Sequence, residues 1–139
     1  MAWDVVFYRA VEGTIPAADF LDSCPTKVEA EMLATLEAVA EAPQPKFSGG
    51  GKWEAMHGDM NGYYEVRAQG PKREQFRLFC ILENADRTEL DRRGLPGPAI
   101  AVITGMRKPS RTKFSAGDYK RARRLGDDYK SKVPRSIAI

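Results

Sequence analysis

The chain has 139 residues, 42% hydrophobic and 29% charged, with a net charge of +3. That length suits one domain over residues 1–139, able to bury a core without disulfides or metal. Only Cys24 and Cys80 are present, far apart and without metal-ligand spacing, so neither a disulfide framework nor a zinc site is expected, and no cofactor is implied.

Val5-Val6-Phe7-Tyr8 is β-branched and aromatic and predicts a first strand. Residues 15–23 read as a short helix with Phe20 and Leu21 facing inward, stopped by Pro25. Thr26-Lys27-Val28-Glu29 has the form of a capping box. Val28, Met32, Leu36, Val39 and Ala40 then recur at helical spacing, and Pro43 and Pro45 are expected to end that second helix. Residues 44–52 form a Pro/Gly loop with glycines at 49–51, but no Gly-Lys-Ser/Thr follows, so a phosphate loop is unsupported.

Trp53 to Met56 predicts a strand leading into a turn-rich connection over residues 57–62. Residues 63–67 and 76–82 then read as two antiparallel strands joined by a polar Gly-Pro loop over 68–75. Alternation puts Phe76, Leu78, Cys80 and Leu82 on one face and Arg77, Phe79 and Ile81 on the other. Tyr63, Glu65 and Arg67 share a side of the first strand, opposite Tyr64 and Val66. Cys80 reads as a small buried hydrophobe, and Tyr63 and Phe79 as core or cross-strand residues.

Residues 84–98 are polar, with two glycines and two prolines, and predict a long mobile excursion. A central strand follows over residues 99–104, then a basic loop over 105–114 holding Arg107, Lys108, Arg111 and Lys113. A final helix starts near Ser115 or Gly117. Its inward stripe is Tyr119, Ala122, Leu125 and Tyr129, and its outer surface carries Lys120, Arg121, Arg123 and Arg124. The expected class is α+β: three to four central antiparallel strands plus an N-terminal strand, with an N-terminal helix pair and a C-terminal helix.

Charge is distributed unevenly. Residues 105–139 hold eleven Lys/Arg against three Asp/Glu, a local +8, whereas residues 1–104 sum to −5. Such asymmetry suits either an anionic partner or a solvated basic face. The N-terminus shows no basic leader before a long apolar region, and no apolar run reaches membrane-span length, so the expected setting is the cytoplasm without membrane contact.

Four segments together resemble the RelE/HigB-like toxins, the phage-derived HigB-type members of the RelE/ParE superfamily. They are Trp53-Glu-Ala-Met, Tyr63-Tyr-Glu-Val-Arg67, Phe76-Arg-Leu-Phe-Cys80 and Ile103-Thr-Gly-Met-Arg-Lys108. The resemblance covers roughly residues 53–129, and the N-terminal strand and helix pair have the expected order. It implies a RelE-like fold and the toxin half of a toxin–antitoxin pair. Many members cleave mRNA in the ribosomal A site and are neutralised by an antitoxin, here expected to be a small helix-turn-helix protein. The superfamily also contains gyrase inhibitors of the ParE type. A phage nucleic-acid-binding module that keeps the fold without toxicity is a further alternative.

By resemblance, Arg67 and Arg77 take the arginine positions flanking the hairpin, Arg107 and Lys108 the basic pair ending the last strand, and Tyr119 the C-terminal aromatic position. The chain departs from the pattern at Pro109, where a second lysine is common, in its longer connection over residues 84–98, and in Thr-Lys-Phe replacing Lys-Thr-Pro. Cleavage without a metal needs a base, stabilised phosphorane charge and a protonated leaving group. Clustered Arg67, Arg77, Arg107 and Lys108 suit the second task. Arg67 could instead pair with Glu65 or Glu54 at the surface. The base is open between Glu65, Tyr119, His57 and a lysine of lowered pKa. Lys113, Lys120, Arg121, Arg123 and Arg124 suit phosphate-backbone contact or an acidic antitoxin segment.

Overall fold

The computed structural model describes residues 2–42 and 51–138. The glycine-rich run at 49–50 and both prolines expected to close the second helix lie outside these residues. The chain is α+β, and among the described residues it has a six-stranded, mostly antiparallel sheet and four α-helices. In chain order these are β1 (Asp4–Tyr8), α1 (Pro16–Ser23), α2 (Thr26–Glu41), β2 (Trp53–Ala55), β3 (Tyr63–Gln69), β4 (Gln75–Glu83), α3 (Arg87–Arg92), β5 (Ala99–Lys108), α4 (Ala116–Ser131) and β6 (Ile137–Ala138).

The sheet order is β2-β3-β4-β5-β1-β6. Consecutive strands β2 to β5 pair antiparallel, as their order suggested, with short connections up to β4 and residues 84–98 between β4 and β5. Strand β1 instead joins β5 in parallel, on the side of β5 away from β4. Strand β6 covers only Phe7 and Tyr8 of β1 and had no counterpart in the sequence reading.

Apolar residues on alternate positions bury both faces. One face carries Val66, Ala68, Phe76, Leu78, Cys80, Ile100 and Val102 against Ala17 and Leu21 of α1 and the Val28, Met32, Leu36, Val39, Ala40 stripe of α2. The other carries Tyr63, Phe79, Ile81, Ala101 and Ile103 beneath Ala122 and Tyr129 of α4. Gly126 lets α4 approach this face closely, since a Cβ there would collide with the Tyr63 hydroxyl. Leu125 and Tyr119 are only half-buried on that helix.

Four local expectations need correction. No capping box opens α2: Pro25 occupies the cap position, Thr26 is already helical, and the Pro25 carbonyl accepts from the Glu29 amide. The strands β3 and β4 extend to Gln69 and Gln75, which shortens the hairpin loop to residues 70–74. Residues 105–108, expected in a basic loop, complete β5. The expected mobile excursion over 84–98 contains α3, capped by the Asp86 side chain accepting from the Glu89 amide, with Leu90 and Leu95 buried.

That excursion is held by a buried carboxylate. Glu83 accepts from Arg93 Nη1 at 2.6 Å, from Arg135 Nε at 2.9 Å and from Tyr129 Oη at 2.7 Å. Burial opposes its ionisation, but these donors outweigh it and hold its pKa below the usual range. Removing one partner of a buried pair strands the others unsolvated. Glu83→Ala should therefore lower unfolding free energy by roughly 3–5 kcal/mol in urea titration, and Tyr129→Phe by about 1–3 kcal/mol.

Candidate functional site

The α4 face of the sheet is apolar at one end and polar at the other. Register sets Tyr63 beside Ile81, Glu65 beside Phe79, Arg67 beside Arg77 and Gln69 beside Gln75. Helix α4 covers the first part and leaves the second open. Two like charges directly opposite in an antiparallel pair repel. Glu65 relieves that repulsion, being only 5% exposed and sharing its face with both arginines. Arg67 Nε donates to Glu65 Oε1 at 2.6 Å, so the surface pairing considered for Arg67 forms, with a buried carboxylate. Arg77 Nε stands 3.8 Å from Glu65 Oε2, outside hydrogen-bond distance.

Arg77 is 16% exposed at its side chain. Burial draws its pKa down, Glu65 raises it and Arg67 lowers it further. Its Nη1 donates to the Phe76 carbonyl and its Nη2 to Gln75 Oε1, both at 3.2 Å, and its guanidinium lies 5.3 Å from the Phe114 ring centre. Phe114 stacks near Tyr119, and both meet Phe79 edge-on. Burial and then Glu65 raise the Tyr119 phenol, against the lowering effect of Arg77 and Arg67. A phenol shifted in that direction is better suited to donate a proton near neutrality than to accept one.

Lys108 shares this face, placed by its register opposite Gln75. Its Nζ lies 3.1 Å from Oδ2 of the buried Asp118. Asp118 also closes a capping box with Ser115 and pairs with Arg121, so Lys108 ties the end of β5 to the start of α4, next to Tyr119. Arg107 does not join the cluster. It lies on the opposite face, paired with Glu74 at 2.7 Å and stacked 4.7 Å from the Phe76 ring centre. The cause is a bulge: Ile103 and Thr104 together face Phe79, which shifts alternation by one residue beyond that point.

Two grooves meet at Arg67. The first, of 550 Å³, is lined by Lys52, Arg67, Arg73, Arg77, Arg111 and Lys113, with Glu31 its one carboxylate among the described residues. The second, of 510 Å³, is lined by Met56, His57, Asp59, Met60, Glu65, Arg67, Tyr119 and Arg123. Lys120 and Arg124 are exposed on α4 and line neither groove, and Arg121 is engaged by Asp118.

Sequence reasoning passed over Gln75, Arg73 and Phe114. The Gln75 amide donates to the carbonyls of Pro109 at 3.2 Å and Thr112 at 2.7 Å while its oxygen accepts from Arg77. It thereby fixes the loop that presents Arg111 and Lys113. Arg73 and Arg111 both sit in left-handed backbone, at φ 60° and 65°, on the two turns that wall the first groove. Non-glycine residues pay for that conformation, and such strain concentrates at functional turns. No spacing rule announces these residues, because the loops that carry them meet only in three dimensions.

Among the described residues no group of three or more His, Cys, Asp or Glu side chains could hold a metal ion, and no helix is long and apolar enough to cross a membrane.

The Asp118 carboxyl is pulled down to about 2, first by the Ser115 amide and then, against burial, by Lys108, the Ser115 side chain and Arg121. Folding lowers this pKa, so its stabilisation is complete above the unfolded value near 3.8 and is lost as pH falls toward about 2. Chemical denaturation across this range should show stability falling with acid, with a shallower slope in Asp118→Asn. An unchanged slope would mean the carboxyl is not held by these partners. Comparison with known proteins finds no match for the chain among family models, curated proteins or solved structures.

Proposed function

We propose that the chain is a RelE/HigB-like toxin, an endoribonuclease that cleaves mRNA in the ribosomal A site and is held in check by a small helix-turn-helix antitoxin. The observation that carries this reading is the convergence of Arg67, Arg77, Glu65 and Tyr119 where two grooves meet. In the reaction a ribose 2′-oxygen bonds to the adjacent phosphorus and the bond from phosphorus to the 5′-oxygen breaks. The products are a 2′,3′-cyclic phosphate and a 5′-hydroxyl.

Glu65 is assigned the 2′-proton. Its Oε1 is occupied by Arg67, while its Oε2 accepts no hydrogen bond among the described residues and faces Arg77 across 3.8 Å. Arg77, with Arg67 beside it, supplies positive charge to the phosphorane, using the planar donor fork that suits phosphate oxygens. The two arginines stand adjacent with one carboxylate between them, so an incoming phosphate relieves residual repulsion. Tyr119, protonated for the reasons given above, hands its proton to the departing 5′-oxygen. Lys108 and Gln75 position these groups rather than react. Substrate held on the ribosome contributes orientation that the free protein lacks.

Inducible expression followed by transcript-end mapping tests the assignment. Wild type should arrest growth and leave new 5′ ends at A-site codons. Arg77→Ala and Tyr119→Phe should each slow cleavage by about 10²–10³-fold, with Arg77→Lys little better than alanine. Arg107→Ala should cleave close to the wild-type rate. Arrest with intact transcripts would overturn the nuclease reading in favour of a gyrase-inhibitor type. Salt-dependent nucleic-acid binding without arrest would favour a plain binding module.

A further inference from the structure

The two grooves that meet at Arg67 differ in chemistry. Among the described residues, the first places five further cationic side chains around Arg67, only Glu31 against them, and no aromatic side chain on its wall. That lining suits consecutive phosphates. The second is lined by Ala55, Met56, Met60, Ala116 and the Tyr119 ring, with Asp59, His57, Glu65, Arg67 and Arg123 around them. Apolar walls with a few convergent polar groups, in a volume of 510 Å³, fit a small planar ligand. A phosphate there would meet the Asp59 and Glu65 carboxylates as well as the Arg67 and Arg123 guanidiniums, a balance less favourable to anions than the first groove.

Local structure builds this pocket in place. A single 3₁₀ turn, Gly58–Met60, carries Asp59 outward and Met60 inward. Glycines at 58 and 62 hold positive φ, at 63° and 97°, where a side chain would strain the turn. Arg123 Nη1 contacts Met60 Sδ at 3.7 Å, bracing the turn against α4.

Resting on the nuclease reading above, we infer that the second groove is a nucleobase pocket. It receives the base next to the scissile phosphate while the chain of phosphates leaves through the first groove. Tyr119 and the half-buried Met56 supply stacking surface, over a floor that includes the buried Met60. Asp59 reads the base edge: its carboxylate accepts from the exocyclic amines of adenine, cytosine and guanine. Uracil fits worst, because its one N–H is flanked by two carbonyl oxygens that a carboxylate repels.

The test uses the full chain with methyl-labelled methionine, titrated with AMP, CMP, GMP, UMP and, separately, inorganic phosphate. The Met56 and Met60 methyl resonances should shift with AMP, CMP and GMP, and stay still with phosphate alone. UMP should bind about tenfold more weakly, the size of one hydrogen bond to a charged group. In Asp59→Asn that gap should close while binding of the others persists. Still methionine signals with every nucleotide, or equal shifts with inorganic phosphate, would overturn the pocket. A wild-type gap retained in Asp59→Asn would overturn the edge reading. Nucleotide-dependent shifts in a chain that cuts no transcript would keep the pocket and remove the nuclease. Cleavage with silent methyls would do the reverse.

Discussion

Everything at the site depends on the alternation of β4 between two helical layers. Phe76, Leu78 and Cys80 must face α1 and α2, so Arg77, Phe79 and Ile81 must face α4. Phe79 and Ile81 disappear under that helix, and Arg77 is the first residue of the row that cannot. The open end of the sheet is the place where the apolar row stops and α4 stops with it. A buried strand thus delivers a guanidinium to a surface that its own neighbours make rigid.

Helix α4 ends its cover where it does because its N-terminus is pinned. Asp118 satisfies the capping box, Lys108 and Arg121 at once, which fixes both the start of the helix and the end of β5. Tyr119 follows directly and is packed against Phe79 and Phe114. The same cation that adds positive potential near Arg77 therefore also orients the phenol. Electrostatics and packing converge on one short segment, and neither alone would hold the ring beside Glu65.

Away from the grooves, charge has a different task. Glu83 gathers Arg93, Arg135 and Tyr129 into a buried network that closes the connection over residues 84–98 and the C-terminal strand onto the sheet. Arg107 is likewise consumed by Glu74 and the Phe76 ring. Much of the basic excess of the last third of the chain is thus structural. What remains available around the first groove is Arg73, Arg111 and Lys113, which form no ion pair among the described residues, together with the two arginines facing Glu65.

Local pattern was enough for the helix stripe of α2, the faces of β3 and β4, the approximate start of α4 and the α+β class, because each rests on a pattern within a few residues. It was enough, too, to mark Arg77 as a charge interrupting an apolar strand, whereas Arg67 and Tyr119 were pointed to by the family resemblance and Glu65 was one of several candidate bases. Helix α3 escaped notice because it is short, Leu90 is its one buried residue, and its C-cap Arg93 is held by Glu83 at the end of β4. Gln75 escaped because its partners lie more than thirty residues on. Which of Arg107 and Lys108 shares the face of Arg77 turned on a single bulged residue opposite Phe79, and one residue is enough to exchange the two faces of a strand. Such a shift follows from how β4 and β5 pack between the helices, and only the assembled sheet decides it.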